Sequence, residues 1–137
     1  MKIKEKKRRT RLLDNVCFNA DGFICAVAQD HLTKTILMVA WMNREALDQT
    51  LETGNVVYYS RSREALWRKG ETSGQTQELI DMRIDCDRDA ILLDVLQEGV
   101  ACHTGRKSCF SWAPGSNGAW EPVEPVETDP DVLYGGD

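Results

Sequence analysis

Three thiols, five carboxylates (three of them in the first five residues) and one of only two histidines fall in the 25 residues from Asp85 to Cys109. Cys86, Cys102 and Cys109 are separated by 15 and 6 residues, which is not the Cys-x-x-Cys knuckle of a structural zinc finger. Three protein ligands plus water is the ligand count of a catalytic zinc site. Zinc brings the pKa of its bound water near 7 and so makes hydroxide available at neutral pH. On spacing alone, three free buried cysteines fit equally well. The polar company of Cys102 and Cys109 (His103, Thr104, Arg106, Lys107 and Ser108) argues against a core position.

Asp85, Asp87 and Asp89 recur at every second residue. Three acids this close repel one another unless a cation lies among them, and hard oxygen donors suit magnesium or calcium. An acidic surface turn is the plainer reading. The segment is not an EF-hand loop, because the glycine at position 6 and the Glu at position 12 are missing. If the strand stays extended, the aspartates project to one face and Cys86 and Arg88 to the other. His103, beside Cys102, is of the residue type suited to a general acid or base, a fourth metal ligand or a second-sphere donor. His31 falls in a predicted hairpin and is expected to be solvated.

Upstream, Lys69-Gly70-Glu71-Thr72-Ser73-Gly74 combines small residues, hydroxyls and a cation that could cradle a phosphate. It matches no standard nucleotide fingerprint, and an ordinary polar loop reads as well. Cys17 and Cys25 have apolar neighbours and are expected to be small core residues.

The elements that must position these groups are mixed α and β. Strands are predicted at about 23–29 and 35–41, the second apolar enough for burial on both faces, with a hairpin over 30–34. Asn43 should cap a helix over 44–52 that ends near Gly54, with Ala46, Leu47 and Leu51 inward. A strand follows at 56–59, then a short helix from Ser62 to about Arg68. Strands at 78–85 and 90–97 are joined by the acidic turn, and Ile80, Met82 and Ile84 alternate with polar residues as in a half-buried strand.

The 137 residues suffice for one domain with a real core. No apolar run is long enough to span a bilayer and the N-terminus is not a secretory signal, so a cytoplasmic location is expected. Five cysteines in a reducing compartment suit ligands or free thiols. Residues 2–11 carry seven basic side chains against Glu5, leaving 10 basic and 21 acidic residues elsewhere. This basic arm, residues 1–11, is expected to be a solvated, poorly ordered tip, without the aromatics that would stack on bases. A tail over 114–137 holds all four prolines, and 121–137 should be irregular or extended.

In order along the chain, Ala40-Trp41-Met42-Asn43-Arg44-Glu45-Ala46-Leu47, Tyr59-Ser60-Arg61-Ser62-Arg63, Leu66-Trp67 with Lys69 to Gly74, Asp85-Cys86-Asp87 and Ala101 to Phe110 closely resemble the phosphoribosyl-AMP cyclohydrolases of histidine biosynthesis. The resemblance covers about residues 13–112, and a domain over 12–113 is expected. It implies an α+β fold, a small mixed and antiparallel β-sheet roll with two short helices, in an intertwined homodimer. It implies hydrolysis of the purine N1–C6 bond of phosphoribosyl-AMP. Ring N1 carries a phosphoribosyl group, the cationic amidine makes C6 electrophilic, and hydroxide generated at zinc adds there. Proton transfer then releases N1 and opens the ring to a carboxamide.

The resemblance also implies roles. Cys86, Cys102 and Cys109 correspond to zinc ligands, one ion per subunit shared across the dimer interface. Asp85, Asp87 and Asp89 correspond to magnesium ligands, and His103 to a proton-transfer group. Arg61, Arg63, Trp67, Lys69, Thr72, Ser73, Gly74, Arg106 and Lys107 are expected to contact substrate. Arg68 and Gln75 depart from residues common in relatives. No pyrophosphohydrolase domain follows Phe110, so a monofunctional enzyme is expected, with neither membrane nor nucleic acid as partner. A zinc-stabilised RNA-binding module would instead need a closed four-ligand site. A purine deaminase would need His-x-Glu and Pro-Cys-x-x-Cys, which are missing.

Overall fold

The computed structural model describes residues 1–134; Gly135, Gly136 and Asp137, the end of the expected tail, lie outside the described residues. A six-stranded sheet runs β4-β3-β2-β1-β6-β5. Its strands are β1 (Ile24–Asp30), β2 (Ile36–Met42), β3 (Val57–Ser60), β4 (Ala65–Arg68), β5 (Gln77–Ile84) and β6 (Ala90–Gln97). Only β1 and β6 pair in parallel; the other ladders are antiparallel. The sheet curls until its far edge meets the chain before β3. Val56 N donates to Gln77 O at 3.0 Å, Leu79 N donates to Gly54 O at 2.8 Å, and Asn55 bridges Glu78. The fold is therefore mixed α+β, as expected, but with three short helices among the described residues where two were expected.

Helix α2 (Arg44–Thr53) covers the concave face. Asn43 accepts a hydrogen bond from Ala46 N, and Gly54 ends the helix in the left-handed region at φ 74°. Ala46, Leu47, Thr50 and Leu51 pack inward against Ile24, Ala26, Leu79, Ile91 and Leu93. Thr50 adds a polar tie, its hydroxyl accepting from Val57 N at 2.9 Å.

The structure corrects several expectations. Residues 62–68 do not form a helix. They turn through Glu64 at φ 50° and return as β4, pairing Tyr58 with Trp67 and Tyr59 with Leu66. Those cross-strand aromatic and apolar pairs outweigh the weak helical pattern of a short segment. Strand β2 is not buried on both faces: Ile36 and Val39 are 40% and 47% exposed. Cys17 is exposed and Cys25 only half buried, because β1 alternates and turns Ile24 and Ala26 inward instead.

The basic arm is not a loose tip. Lys6–Asp14 form helix α1, which docks on α2 through Ile3 and Leu13. Arg9 is buried, its Nε donating to Asp48 at 2.8 Å and its Nη1 to the carbonyls of Ile3 and Lys4. Nor is the tail wholly irregular. Trp112–Pro114 (β7) pairs with Trp120–Pro122 (β8), and Pro130–Tyr134 forms helix α3. Among the described residues no helix is long and apolar enough to cross a membrane.

Candidate functional site

The loop after β6 carries two thiols. Cys102 N donates to Arg106 O, Gly105 N to Cys102 O and Ala101 N to Lys107 O, which folds residues 101–107 into a compact turn. Ser108 Oγ then donates to Ile36 O at 2.6 Å, and Cys109 N to Leu37 O at 2.7 Å. These bonds pin Cys109 to β2 and bring it against Cys102. Despite its polar neighbours, Cys102 is buried, with Thr104 Oγ1 at 3.0 Å from its sulfur. Part of Cys109 reaches the surface. Its sulfur is nevertheless desolvated: burial, then the charge and hydrogen bond of Cys102, push its pKa up to about 12.

Lys69 completes this group. It is buried at the end of β4, and its Nζ donates to Gln75 O at 3.2 Å. Burial lowers its pKa, while Cys109 and Cys102 act in the opposite direction. The charge of Lys69 acts to lower the pKa of Cys109, but burial and Cys102 outweigh it. Below it lies a polar chain. Tyr58 Oη donates to Gln77 Oε1 at 2.6 Å, and Gln77 Nε2 donates to Gln97 Oε1 at 2.8 Å.

Cys86 is elsewhere. It follows β5 in the acidic turn, whereas Cys102 follows the other end of β6. The eight residues of β6 span about 25 Å at roughly 3.3 Å per residue. Within one chain, Cys86 therefore does not join Cys102 and Cys109. Nor does it point away from its neighbours: ligand atoms of Asp85, Cys86 and Asp87 lie within 4.8 Å of one another. The extended alternation stops because Arg88 takes φ 62° and Asp89 N donates back to Asp85 Oδ1 at 3.0 Å. The backbone N–H of Asp89, ahead of the other contacts, lowers the pKa of Asp85. Asp89 is raised, first by its carboxyl hydrogen bond to Asp85 and then by the charges of Asp85 and Asp87.

Between the β4–β5 loop and the thiol loop lies a cleft of about 400 Å³. Arg63, Trp67, Lys69, Thr72, Ser73 and His103 all border it, as do Arg68, Gly70, Glu71 and Tyr134. Gly74 closes the same loop, donating to Gly70 O at 2.8 Å. The other three expected contacts have different partners. Arg61 stacks over Trp41 at 4.7 Å, Arg106 lies over Trp112 and donates to Glu124 O, and Lys107 pairs with Asp30 at 3.3 Å. His31 is half solvated, with Asp94 Oδ2 at 2.6 Å from its Nδ1. The contribution of Tyr134 has no signal in the sequence, since a proline-rich tail gives no hint of where it returns.

Comparison with known proteins adds a name to this geometry. The pattern of the phosphoribosyl-AMP cyclohydrolase family matches residues 38–111, a span that includes both thiol segments and the whole cleft loop. The phosphoribosyl-AMP cyclohydrolase of Thioalkalivibrio sulfidiphilus is 56% identical over 90% of the chain and 94% of its own length. That of Granulibacter bethesdensis is 56% identical over 90% and 97%, and that of Stutzerimonas stutzeri 55% over 89% and 93%.

Proposed function

The chain belongs to the phosphoribosyl-AMP cyclohydrolase family, hydrolases of a cyclic amidine C–N bond, and from that premise we propose that it opens the adenine ring of phosphoribosyl-AMP at N1–C6 in histidine biosynthesis. The observation that carries the reading is the pairing of Cys102 and Cys109, with buried Lys69 beside them, at a basic cleft bordered by His103.

The donor chemistry fits two kinds of metal. Cys102 and Cys109, completed by Cys86 of a second subunit, make a soft three-thiolate set of the type zinc occupies with one position left open. The distance from Cys86 to the other thiols along β6 supports a shared site and an intertwined homodimer, as do the exposed Ile36 and Val39. Asp85, Asp87 and Asp89 offer hard oxygens whose mutual repulsion magnesium would relieve. Zinc, when bound, would supply a Lewis acid that activates water near neutral pH.

The chain's own residues do the rest. Arg63, Arg68, Lys69, Thr72 and Ser73 meet phosphate oxygens with charge-assisted hydrogen bonds. Trp67, held against Tyr58 at 5.2 Å, gives the cleft a rigid aromatic wall. His103 moves a proton to N1 as the C6–N1 bond breaks, so that this nitrogen leaves C6 as the NH of a neutral formamidine still joined to C2. Lys69 offsets the negative charge of the thiolates, leaving the site less anionic toward a phosphorylated substrate. The test is to supply phosphoribosyl-AMP with zinc and magnesium and follow the ultraviolet change of ring opening. Turnover is expected; its absence from the metal-loaded protein would overturn the reading.

A further inference from the structure

The tail after Phe110 has no part in the reading above, yet it is fastened to the thiol loop at Gly105 and Arg106. Val123 N donates to Ser111 O at 2.8 Å, and Arg106 Nε to Glu124 O at 2.9 Å. Glu127 N and Thr128 N both donate to the carbonyl of Gly105, at 2.8 and 3.0 Å. Gly105, at φ 83°, is the notch that admits this contact: a Cβ there would lie 1.7 Å from Thr128 O. Past the notch, Asp129 Oδ1 accepts from Asp131 N at 2.9 Å and turns the chain into α3. Leu133 is buried at 8% exposure and anchors that turn. The neighbouring Tyr134 is thereby held at the cleft edge with Trp67 and His103, while 42% of it stays exposed.

An aromatic ring fixed at the rim of a cationic cleft and left open to solvent is suited to covering a flat ligand whose charges are neutralised deeper in. We propose that Tyr134 is a substrate-binding residue, its ring packing on the purine, and that residues 123–134 form a strap whose role is to hold it there. The proposal rests on the cleft being the nucleotide site of the proposed function. The strap lies beyond residues 38–111, the span that the family pattern matches.

Two measurements on full-length zinc-loaded protein test it: steady-state turnover of phosphoribosyl-AMP, and equilibrium binding of AMP, which the enzyme does not convert. In Tyr134→Ala, KM and the AMP Kd are expected to rise together by about tenfold, with kcat within about twofold and zinc content unchanged, as for one lost base–aromatic stack. Tyr134→Phe should restore both values, and truncation after Thr128 should match Tyr134→Ala. Unchanged KM or unchanged AMP affinity in Tyr134→Ala overturns the proposal, and so does a Phe variant as weak as the Ala one. Absence of turnover in the unsubstituted protein would strike the proposed function alone, because the AMP comparison still decides whether Tyr134 walls a nucleotide site.

Discussion

Gln75 Oε1 accepts a hydrogen bond from Val100 N at 2.8 Å, joining the loop that borders the cleft to the loop that carries Cys102. The Gln75 carbonyl also receives Lys69 Nζ, so one residue sets the position of the buried cation and of the thiol loop together. Gln75→Ala leaves Val100 N without its partner, at a position that is 3% exposed. The expected loss is about 1–3 kcal/mol of stability by urea unfolding. Gln75→Glu, which retains the acceptor, should recover most of it; equal losses in the two variants would show that this bond is unimportant.

Tyr58 makes a second prediction. Its hydroxyl is fully buried and donates to Gln77 at 2.6 Å, and Gln77 in turn donates to Gln97. Tyr58→Phe strands the Gln77 acceptor, and a cost of about 1–3 kcal/mol is expected. Thermal or urea unfolding measures it, and a variant as stable as the parent would contradict the network.

Alkaline pH should weaken the metal-free protein. Burial raises Cys109 from its usual 9.0 to about 12, and burial likewise raises Tyr58 above its usual 10.0. Both groups bind their proton more tightly folded than unfolded. The Cys109 contribution is therefore complete below pH 9.0 and is lost as pH climbs toward 12, and that of Tyr58 begins to fall above pH 10.0. The urea midpoint of the metal-free chain should fall steadily across that window, and less steeply in Cys109→Ala. A midpoint that is flat with pH would refute the assignment.

The two metal sites should separate by mutation. Cys102→Ala should lose zinc and activity together, whereas Asp87→Asn should keep zinc and lose magnesium dependence. Metal content by atomic absorption decides it; zinc loss in Asp87→Asn would mean that the acidic turn and the thiols are one site. Cys86→Ala and Cys109→Ala subunits, inactive separately, should regain about a quarter of parental activity when mixed in equal amounts. Randomly assorted chains form mixed dimers half the time, and each mixed dimer carries one intact site of two. No recovery would place all three thiolates in one chain.

Much of this architecture is legible in the amino-acid sequence because local chemistry writes it. Asn43 and Gly54 bracket α2, and the alternation of Ile80, Met82 and Ile84 marks β5 as a strand but not its buried face, because a register shift between Leu79 and Asp81 buries Leu79 and leaves Ile84 41% exposed. The closeness of Cys102 and Cys109 follows from a short loop. What stays hidden depends on distant partners. Residues 65–68 become a strand because β3 lies ready to pair with them, and the basic arm becomes a helix because α2 supplies Asp48 for Arg9. The acidic turn that gathers Asp85, Cys86 and Asp87 closes through a positive φ at Arg88, which no hydrophobic pattern encodes. Tyr134 reaches the cleft only through the notch at Gly105.

The length of β6 has a last consequence. The strand between Cys86 and its fellow thiols, about 25 Å long at roughly 3.3 Å per residue, is a ruler that no single chain can fold short. On the shared-site reading, specific activity is then a function of concentration. Diluting the protein below the dissociation constant of the dimer switches it off reversibly, with every chain still folded and every ligand side chain still present.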